Sequence, residues 1–494
     1  MGGGQSASSH HAGSSRQARV VANHHAAPIE VPSDPIVANA VREAAKARKL
    51  DDFNERASNS LESSPQEMPR LLTRRSLDRT SRTADNQQIA WDANEGAALE
   101  ESLTVDKELG AAPVRLVCAR FLINLAKAGG RLLRRQDLPE AAFISLHKLK
   151  QMGCGYMQSD LRILCLSHMW LTPDHPDPRG DNLRAIAEVL ETFVNDRFSG
   201  GTWAVFLDYA SLPQLGCRGE ARGPAEELLL SRGLQSLASL YSHPCTWTLK
   251  LTKLPADYPH AFGLAHGTVP NTASYDDRGW CWTEASVSNL VKPYTQVLDL
   301  SRYTGGDLDT LTRTTIRRSN LRVAFATSLP ELIRVCRAGR APPLTPDDFD
   351  RRLESKAFTW READLPTVRR LYRSAFEQRF AQARTLSYLD LGWGDDDACT
   401  LCKVIESGAL RYTTRLELTG NHFGDEGMRR LAHSIACDEA VPLLEVLHLH
   451  PCDASDEAVA AVERALRESQ QRSRARAAAA AGGDVSADPA AARV

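Results

Sequence analysis

Short apolar runs alternate with helical patterns between residues 160 and 301, and this alternation limits the fold more than any other feature of the sequence. The apolar runs predict four buried strands, over residues 162–167, 202–208, 245–251 and 296–300. Apolar residues recur at three- and four-residue spacing after the first two runs, and a further helix is predicted over 279–291. Such alternation indicates a parallel sheet covered on both faces, with any ligand site at the carboxyl ends of its strands. We therefore predict an α/β domain over residues 159–301.

The two ends of the chain differ from this domain in composition. With 494 residues, the chain exceeds the roughly 250–300 that one core can hold, so more than one domain is expected. Residues 1–110 have few large apolar side chains and are predicted to be disordered, apart from a short helix over 37–50. The alanine-rich end, 469–494, is also predicted to be disordered.

Helical segments are predicted on both sides of the α/β domain. A helical lead-in is expected over 111–158, where apolar residues keep helical spacing at Val114, Val117, Phe121, Leu122 and Leu125. Residues 302–385 are predicted to form a helical connector. Within the connector we expect one more strand over 321–327 and helices over 331–337 and 365–383.

A leucine repeat follows the connector. The pairs Leu389-x-Leu391, Leu416-x-Leu418 and Leu447-x-Leu449 recur at offsets of 27 and 31 residues, each before a helical pattern. Asn421 and Cys452 stand three residues after the second leucine of their units. The segment 416–431 closely resembles the ribonuclease-inhibitor type of leucine-rich repeat. This resemblance implies a short α/β solenoid over 386–468, whose concave surface would bind a protein partner.

Four short motifs stand in order along the predicted α/β domain. They are Leu-Ser-His-Met-Trp at 166–170, Val-Phe-Leu-Asp at 205–208 with Leu-Pro-Gln at 212–214, Leu-Tyr-Ser-His at 240–243, and Arg-Gly-Trp-Cys-Trp-Thr-Glu at 278–284. The first two follow predicted strands, and the last opens a predicted helix. All four therefore belong near the carboxyl edge of the sheet.

The order and spacing of these motifs resemble the Toll/interleukin-receptor (TIR) domain. In that family the first strand ends in a Ser-containing loop, the second ends in an Asp, and the third helix begins with Trp-Cys-x-x-Glu, as at 280–284 here. The motifs are equally similar to the fungal heterokaryon-incompatibility (HET) domain, a TIR relative with its own Ser, Asp, Tyr and Arg-Trp-Glu motifs. Both resemblances imply a flavodoxin-like parallel sheet over about 140 residues of the chain.

The TIR resemblance also implies a reaction. In enzymatically active TIR domains the Glu of Trp-Cys-x-x-Glu cleaves NAD, and by motif position this role falls on Glu284. Breakage of the nicotinamide–ribose bond develops positive charge on the ribose, which a carboxylate can stabilise. Residue chemistry suggests further roles in substrate binding. His168, Trp170 and Trp280 could stack on the flat rings of the substrate or hydrogen-bond to them, and Arg278 could pair with a phosphate. Ser167 and Asp208 could contact the substrate at the ends of their strands.

Structural roles compete with these functional ones. Glu284 could be a first-turn acid favoured by the helix dipole, the tryptophans could be core residues, and Asp208 could cap a strand end. Ser167 and His168 are neighbours on a strand and point to opposite faces, which argues against a nucleophile–base pair. Cys399 and Cys402 lack a second cysteine pair, so no metal site is predicted.

Composition excludes several other classes of function. The formal net charge of −2 offers no general attraction to phosphate, so no nucleic-acid partner is predicted. The 11 cysteines are odd in number and mostly lie in apolar runs, which suits reduced thiols. No apolar stretch reaches the roughly 18–20 residues of a membrane-spanning helix. We predict a cytoplasmic protein without a bound cofactor, for which NAD would be a substrate.

The first six residues have two interpretations. Met-Gly-Gly-Gly-Gln-Ser fits the pattern for N-myristoylation at Gly2, and it is equally a flexible Gly/Ser start. A single myristoyl chain binds membranes only marginally, so the first interpretation predicts weak, peripheral membrane association.

Two functions fit this architecture. The first is an intracellular signalling or defence-type enzyme whose TIR/HET-like domain cleaves NAD under the control of the leucine-rich repeats. The second is a non-catalytic scaffold whose α/β domain self-associates and whose repeats bind a protein. Placement of Glu284 in an open pocket with Trp170 and Asp208 favours the first, and an outward-facing Glu284 favours the second.

Overall fold

The computed structural model describes four stretches of the chain. They are residues 34–43, 96–152, 161–303 and 328–482, except residues 197, 198, 217, 218, 261, 263, 265, 266, 268 and 338. The predictions for Gly2 and for a strand over 321–327 lie outside these described residues.

A six-stranded sheet forms the centre of the fold. Its strands are β1 (Leu116–Cys118), β2 (Phe143–Ile144), β3 (Ile163–His168), β4 (Ala204–Leu207), β5 (Trp247–Leu251) and β6 (Val297–Asp299). They lie in the order β2-β1-β4-β3-β5-β6. The four strands from β4 to β6 are parallel, whereas β1 is antiparallel to both of its neighbours. The predicted parallel sheet is thus confirmed for the four strands β4, β3, β5 and β6.

Helices cover the sheet and continue into the second half of the chain. They are α1 (35–43), α2 (Gly96–Leu103), α3 (Ala119–Lys127), α4 (Leu146–Gln151), α5 (Asp181–Val194), α6 (Asp208–Ser211), α7 (Pro224–Ser242), α8 (Gly279–Ser288), α9 (Leu329–Cys336), α10 (Pro346–Leu353), α11 (Arg361–Gln382), α12 (Asp395–Glu406), α13 (Asp425–Ala436) and α14 (Asp456–Gly482).

The parallel strands form because they are apolar on both faces. All residues of β3, β4 and β5 are buried, so both faces of the sheet need helical cover. Helix α5 connects β3 to β4, and α7 connects β4 to β5 in the opposite direction across the sheet. Because such crossovers are right-handed, α5 and α7 lie on opposite faces. Helix α3 packs against α5, whereas α8 packs against α7.

Ordered structure begins earlier than the sequence predicts. Leu99 and Leu103 of α2 join the main core, although they belong to the segment 1–110 that we predicted to be disordered. Val37 and Val41 of α1, which lie in the short helix predicted over 37–50, join the same core. The segment 111–158 is not only a helical lead-in, since it supplies β1 and β2. β1 covers the edge of β4, and its three residues are buried. The helix expected from Val114 starts at Ala119.

The connector packs directly onto the α/β domain. Phe349 of α10 stacks between Trp282 of α8 and Tyr372 of α11, with ring centroids 4.7 Å and 3.8 Å apart. Arg379 donates to the Ser242 hydroxyl, at 2.7 Å, where α7 ends. The connector therefore supports the two helices that follow β4 and β5.

Three strand–helix units follow the connector. The strands β7 (Thr385–Ser387), β8 (Arg415–Glu417) and β9 (Val446–His448) form a parallel sheet and precede α12, α13 and α14. Leu386 pairs with Leu416 and Leu416 with Leu447, so the first unit starts at Leu386. The prediction of Leu389-x-Leu391 was wrong by three residues, because Tyr388 fills the buried position that a leucine occupies in the second unit.

Buried polar contacts join these units. The Asn421 side chain donates to the carbonyl oxygens of Tyr388 and Leu418, both at 2.8 Å, and its oxygen accepts from two backbone amides of the first unit. Asn421 thus bonds the backbone of both turns.

The last helix is longer than the sequence predicts. Helix α14 continues to Gly482, past Ser469 where the disordered tail was expected to begin. Gln470 donates to the carbonyl oxygen of Leu444 at 3.1 Å, and Arg472 donates to that of Ala436 at 2.8 Å. The alanine run, which has the highest helix propensity, then prolongs a helix that packing has already fixed. Among the described residues, no helix combines the length and apolar character required to cross a membrane.

Candidate active site

The order of the parallel strands marks a crevice at the carboxyl ends of β3 and β5. From β3 the chain passes to β4 on one side and then returns to β5 on the other side. The helices that leave these neighbouring strands lie on opposite faces, so they diverge at this point. In open α/β sheets, ligands bind where the strand order reverses in this way. The residues that end β3 are Ser167 and His168.

Close packing at Gly279 fixes the start of helix α8. A Cβ atom there would lie 2.0 Å from the ring of Phe358, so a larger residue cannot occupy the position. The Gly279 amide also donates to the carbonyl oxygen of Ala357 at 2.8 Å. Glu284 is the sixth residue of this helix and lies beyond its first turn. The alternative role of Glu284 as a first-turn acid is therefore wrong.

The carboxyl group of Glu284 faces the end of β3. Its Oε2 accepts a hydrogen bond from Ser167 Oγ at 2.5 Å, and the same hydroxyl lies 2.5 Å from the Tyr275 hydroxyl. Ser167 has one proton, so Tyr275 donates to Ser167 when Ser167 donates to Glu284. Glu284 remains partly exposed.

Burial changes the ionisation of Glu284. Desolvation, followed by the charge of Asp208, raises the pKa of this carboxyl to about 8, while hydrogen bonds with Ser167 and Tyr241 oppose the rise. The Tyr241 hydroxyl donates to the carbonyl oxygen of Leu166 at 2.9 Å. The raised pKa thus favours the neutral carboxyl group at neutral pH.

Asp208 and Trp170 form the more exposed part of the crevice. Trp170 Nε1 donates to Asp208 Oδ2 at 2.8 Å, and the Tyr209 amide donates to Asp208 Oδ1 at 2.6 Å. Asp208 is the first residue of α6, and 30% of its side chain is exposed. The structure therefore places the Trp170–Asp208 pair at the same edge of the sheet as Ser167 and Glu284, where the charge of Asp208 acts on Glu284.

His168 lies on the other side of β3 from Ser167. Its Nδ1 is 3.9 Å from Asp208 Oδ1, and its buried Nε2 has no hydrogen-bond partner among the described residues. The Ser167 hydroxyl instead contacts Glu284 and Tyr275. This arrangement agrees with the prediction that Ser167 and His168 do not form a nucleophile–base pair.

Arg278 has a different role from the predicted phosphate contact. Its guanidinium group donates to the carbonyl oxygens of Ala273, at 2.9 Å, of Asn271, at 2.5 Å, and of Trp170. Arg278 is 5% exposed, and burial lowers its pKa. Three of its five N–H donors join the loop before α8 to the loop after β3, so the group has a structural role.

Trp280 faces the connector rather than the crevice. Its indole donates a hydrogen bond to the carboxylate of Asp364 in α11. The ring is partly buried and packs against the main core. We therefore assign Trp280 to the contact between α8 and the connector, which corrects its predicted role in substrate binding.

The predicted residues omit Tyr275, which lies at the centre of the site. It is 3% exposed and forms part of a short turn, Tyr275–Asp277, immediately before α8. Burial raises its pKa well above the usual value, so its hydroxyl keeps its proton. The one signal in the sequence was its position three residues before Arg278, inside a loop that showed no periodicity.

A carboxylate already occupies the first helix N-terminus of the crevice. The buried Asp177 side chain accepts hydrogen bonds from the amides of Asn182 and Leu183, both at 3.0 Å, at the start of α5. Many doubly wound folds bind a phosphate with these amides. A phosphate-bearing ligand would need another partner in this protein.

Another cavity lies beside β1 and β2, away from the crevice. It has a volume of about 920 Å³, and its lining includes Phe143, His147, Arg115 and Glu140. Arg115 and Glu140 form an ion pair at 2.5 Å, so their charges compensate each other. We favour the crevice over this cavity because Glu284 and Tyr275, whose pKa values are strongly raised, converge at the crevice.

Comparisons of the chain with protein-family models, curated proteins and solved structures found no match. Within the described ranges, no group of three or more His, Cys, Asp and Glu side chains is arranged to hold a metal ion. The chemistry available in the crevice comes from two carboxyl groups, the hydroxyls around Glu284 and the exposed part of Trp170.

Proposed function

We propose that this protein hydrolyses the nicotinamide–ribose bond of NAD, with Glu284 as the catalytic residue. The observation that supports this most directly is the hydrogen bond between Glu284 and Ser167 at the end of β3. It turns the Glu of the Trp-Cys-x-x-Glu motif towards the crevice instead of outward. The resemblance of the four motifs to TIR and HET domains supplies the reaction.

The strand order supports the same proposal. Read along the chain, β3, β4, β5 and β6 are the first to fourth parallel strands, and their order in the sheet is second, first, third, fourth. This is the order of the first four strands in flavodoxin-like folds, in which the ligand lies between the first and third strands. Those two strands are β3 and β5 here.

The proposed reaction breaks one bond and forms another. The bond between the nicotinamide nitrogen and ribose C1′ breaks, and its electron pair leaves with nicotinamide, which becomes neutral. The ionised Glu284 carboxylate stabilises the positive charge that develops on the ribose. Water then bonds to C1′ and releases its proton, which gives ADP-ribose and nicotinamide.

The surroundings of Glu284 suit this role. Ser167 and Tyr275 fix the carboxylate in place, and Trp170 offers an aromatic face at the outer part of the crevice. The cationic nicotinamide ring would lower the pKa of Glu284 on binding, because an opposite charge favours the ionised form. The substrate therefore promotes the ionisation that its own cleavage requires.

We further propose that the three strand–helix units are ribonuclease-inhibitor-type leucine-rich repeats that bind a protein and regulate the α/β domain. Their parallel strands β7–β9, with Leu386, Leu416 and Leu447 in register, support this. We propose an intracellular signalling or defence role, with self-association of the α/β domain. Mass spectrometry of the N-terminal peptide tests the separate prediction of myristoylation at Gly2.

The decisive experiment measures nicotinamide release. Purified full-length chain at high concentration is incubated with NAD at pH 8.5, where Glu284 is largely ionised, and nicotinamide is quantified by chromatography. We expect Glu284→Gln to reduce release by at least about a hundredfold, as loss of a key electrostatic group does. Glu188→Gln, an exposed position on α5, is the matched control and should retain full activity.

Two results would contradict the proposal. No nicotinamide release from assembled, folded protein would leave the non-catalytic scaffold as the better interpretation. Equal release by the wild type and Glu284→Gln would show that the activity has another source.

A further inference from the structure

Lys250 stands next to Ser167 in the sheet. It is the fourth residue of β5, and it pairs with Ser167 of β3 on one side and Asp299 of β6 on the other. Residues in register on neighbouring parallel strands are about 4.8 Å apart and point to the same face. The Lys250 side chain therefore leaves the sheet on the face where Ser167 contacts Glu284.

The charge of Lys250 has no direct partner. The residue is 7% exposed, and its ammonium group makes no hydrogen bond or ion pair within the described parts of the chain. Burial lowers its pKa, and Asp299 and Asp276 act on it only from longer range. Asp299 Oδ1 already accepts from Thr252 Oγ1, at 2.6 Å, and from the amide and hydroxyl of Ser301.

The other buried Lys and Arg side chains in the described ranges each have a hydrogen-bond partner. Each donates to at least one oxygen atom of the protein: Arg135, Arg278, Lys292, Arg340 and Arg379. Lys292 is the closest comparison, since its ammonium group donates to the Thr246 hydroxyl at 2.7 Å and to two carbonyl oxygens. Burial of an ammonium group without such partners is costly. An anion that contacts Lys250 would remove this cost.

Two other candidate phosphate sites among the described residues already have partners. Asp177 fills the N-terminus of α5, and Arg278 is committed to carbonyl oxygens. We propose that Lys250 binds a phosphate group of the substrate, so that the site selects phosphorylated nucleotides over the free nucleoside. This inference rests on the proposed cleavage at Glu284 and extends it to the class of substrate.

Kinetics with three substrates test the inference. NAD and nicotinamide mononucleotide contain phosphate, whereas nicotinamide riboside has the same scissile bond without it. For Lys250→Met we expect kcat/KM to fall about ten- to hundredfold with the two phosphorylated substrates, the usual effect of losing a hydrogen bond to a charged group. The fall should lie mainly in KM, and the value for the riboside should change less than about twofold.

Lys253→Met is the matched control, because Lys253 is exposed and lies three residues further along the chain. It should behave as the wild type with all three substrates. Equal losses for Lys250→Met with all three substrates would assign Lys250 a purely structural role, and unchanged values would also overturn the inference.

Binding of ADP-ribose separates this inference from the proposed catalysis. Calorimetry on the full chain should show binding to the wild type and Glu284→Gln, and at least tenfold weaker binding to Lys250→Met. This result would support the Lys250 site even if no NAD were cleaved. Cleavage that depends on Glu284 but not on Lys250 would reject the Lys250 site alone.

Thermal unfolding shows whether Lys250→Met is folded. If it is not, the wild type still provides a test, because inorganic pyrophosphate should then compete with ADP-ribose for the site. Absence of competition would reject the inference.

Discussion

At the scale of single residues, Glu284 combines two requirements that conflict. Its position behind Ser167 and Tyr275 orients the carboxyl group, but the same burial raises its pKa to about 8. The folded chain therefore holds a proton that an unfolded chain releases near pH 4.5, the ordinary value for Glu. The folded protein is therefore less stable at a pH at which Glu284 is ionised.

The direction of the pH effect follows from this difference in pKa. Between about pH 4.5 and 8 the folded state binds more protons than the unfolded state, so stability falls as the pH rises through this range. Glu284→Gln imitates the protonated carboxyl group, so this contribution to the fall in stability with rising pH disappears. We expect its melting temperature to exceed that of the wild type by several degrees at pH 8.5 and to match it near pH 4.5. Glu188→Gln should show no such pH-dependent gain, and a gain equal at both pH values would contradict the raised pKa.

The sequence predicted only part of this site. Ser167, Trp170, Asp208 and Glu284 belong to motifs with fixed spacing, so their convergence could be anticipated from the order of the motifs. Tyr275 and Lys250 depend on distances across strands and loops: the Tyr275 hydroxyl contacts Ser167, 108 residues away in the chain. Arg278 and Trp280 were assigned to the substrate because their chemistry suits it, whereas their partners are the carbonyl oxygens and Asp364.

At the scale of elements, helix α8 depends on contact with the segment that precedes α11. The amides of Gly279 and Ala357 each bond across this junction at 2.8 Å. Phe358 then lies where a side chain at position 279 would project. The start of α8, and with it the position of Glu284, is thus set from outside the α/β domain.

Gly279→Ala tests this junction. The added methyl group would overlap the Phe358 ring, and we expect a loss of about 1–3 kcal/mol in the free energy of unfolding, as for other overpacked sites. Urea denaturation provides the measurement. The double variant Gly279→Ala/Phe358→Ala should show a smaller effect of the glycine change than the single variant does.

Gly223→Ala is the control, because its Cβ would have no atom within 4 Å. We expect a loss below about 1 kcal/mol there, in line with an ordinary change at a helix N-cap. A larger loss at Gly223 than at Gly279 would contradict the proposed overlap.

The elements themselves were predictable where one pattern dominates. The four parallel strands are mostly apolar, and their positions agree with the sequence to within a few residues. The sequence did not predict β1, because its residues, Leu116 to Cys118, lead directly into the apolar face of α3. The spacing of apolar residues in the strand therefore cannot be told from that in the helix. The length of α14 was missed because composition alone does not show the contacts of Gln470 and Arg472.

At the scale of the whole molecule, the strand–helix units bond to the residues that follow α8. The Tyr388 hydroxyl donates to the carbonyl oxygen of Leu290, and Trp393 Nε1 donates to that of Arg340 at 2.7 Å. Arg340 in turn donates to the carbonyl oxygens of Asn289 and Lys292. One continuous core extends from Val37 to Ala465. We predicted domain boundaries at residues 301 and 385, within this core, because the sequence patterns change there.

Tyr388→Phe measures the strength of this connection. It removes one buried hydrogen bond and leaves the Leu290 carbonyl unpaired, so we expect a loss of about 1–3 kcal/mol in the free energy of unfolding. The transition should remain single and cooperative, because the units share one core. Tyr412→Phe, at a residue that is 39% exposed, should change stability by less than about 0.5 kcal/mol. Two separate transitions would contradict the shared core.

The stack of Trp282, Phe349 and Tyr372 has a practical consequence for dissecting this protein. Two of its three rings belong to the connector, so a fragment that ends near residue 301 would leave Trp282 uncovered on the helix that carries Glu284. A fragment that starts near 386 would lose the partners of Tyr388 and Trp393. The smallest autonomous piece of this chain should therefore extend from α2 through the repeats, and isolated domains cut at the sequence boundaries should aggregate.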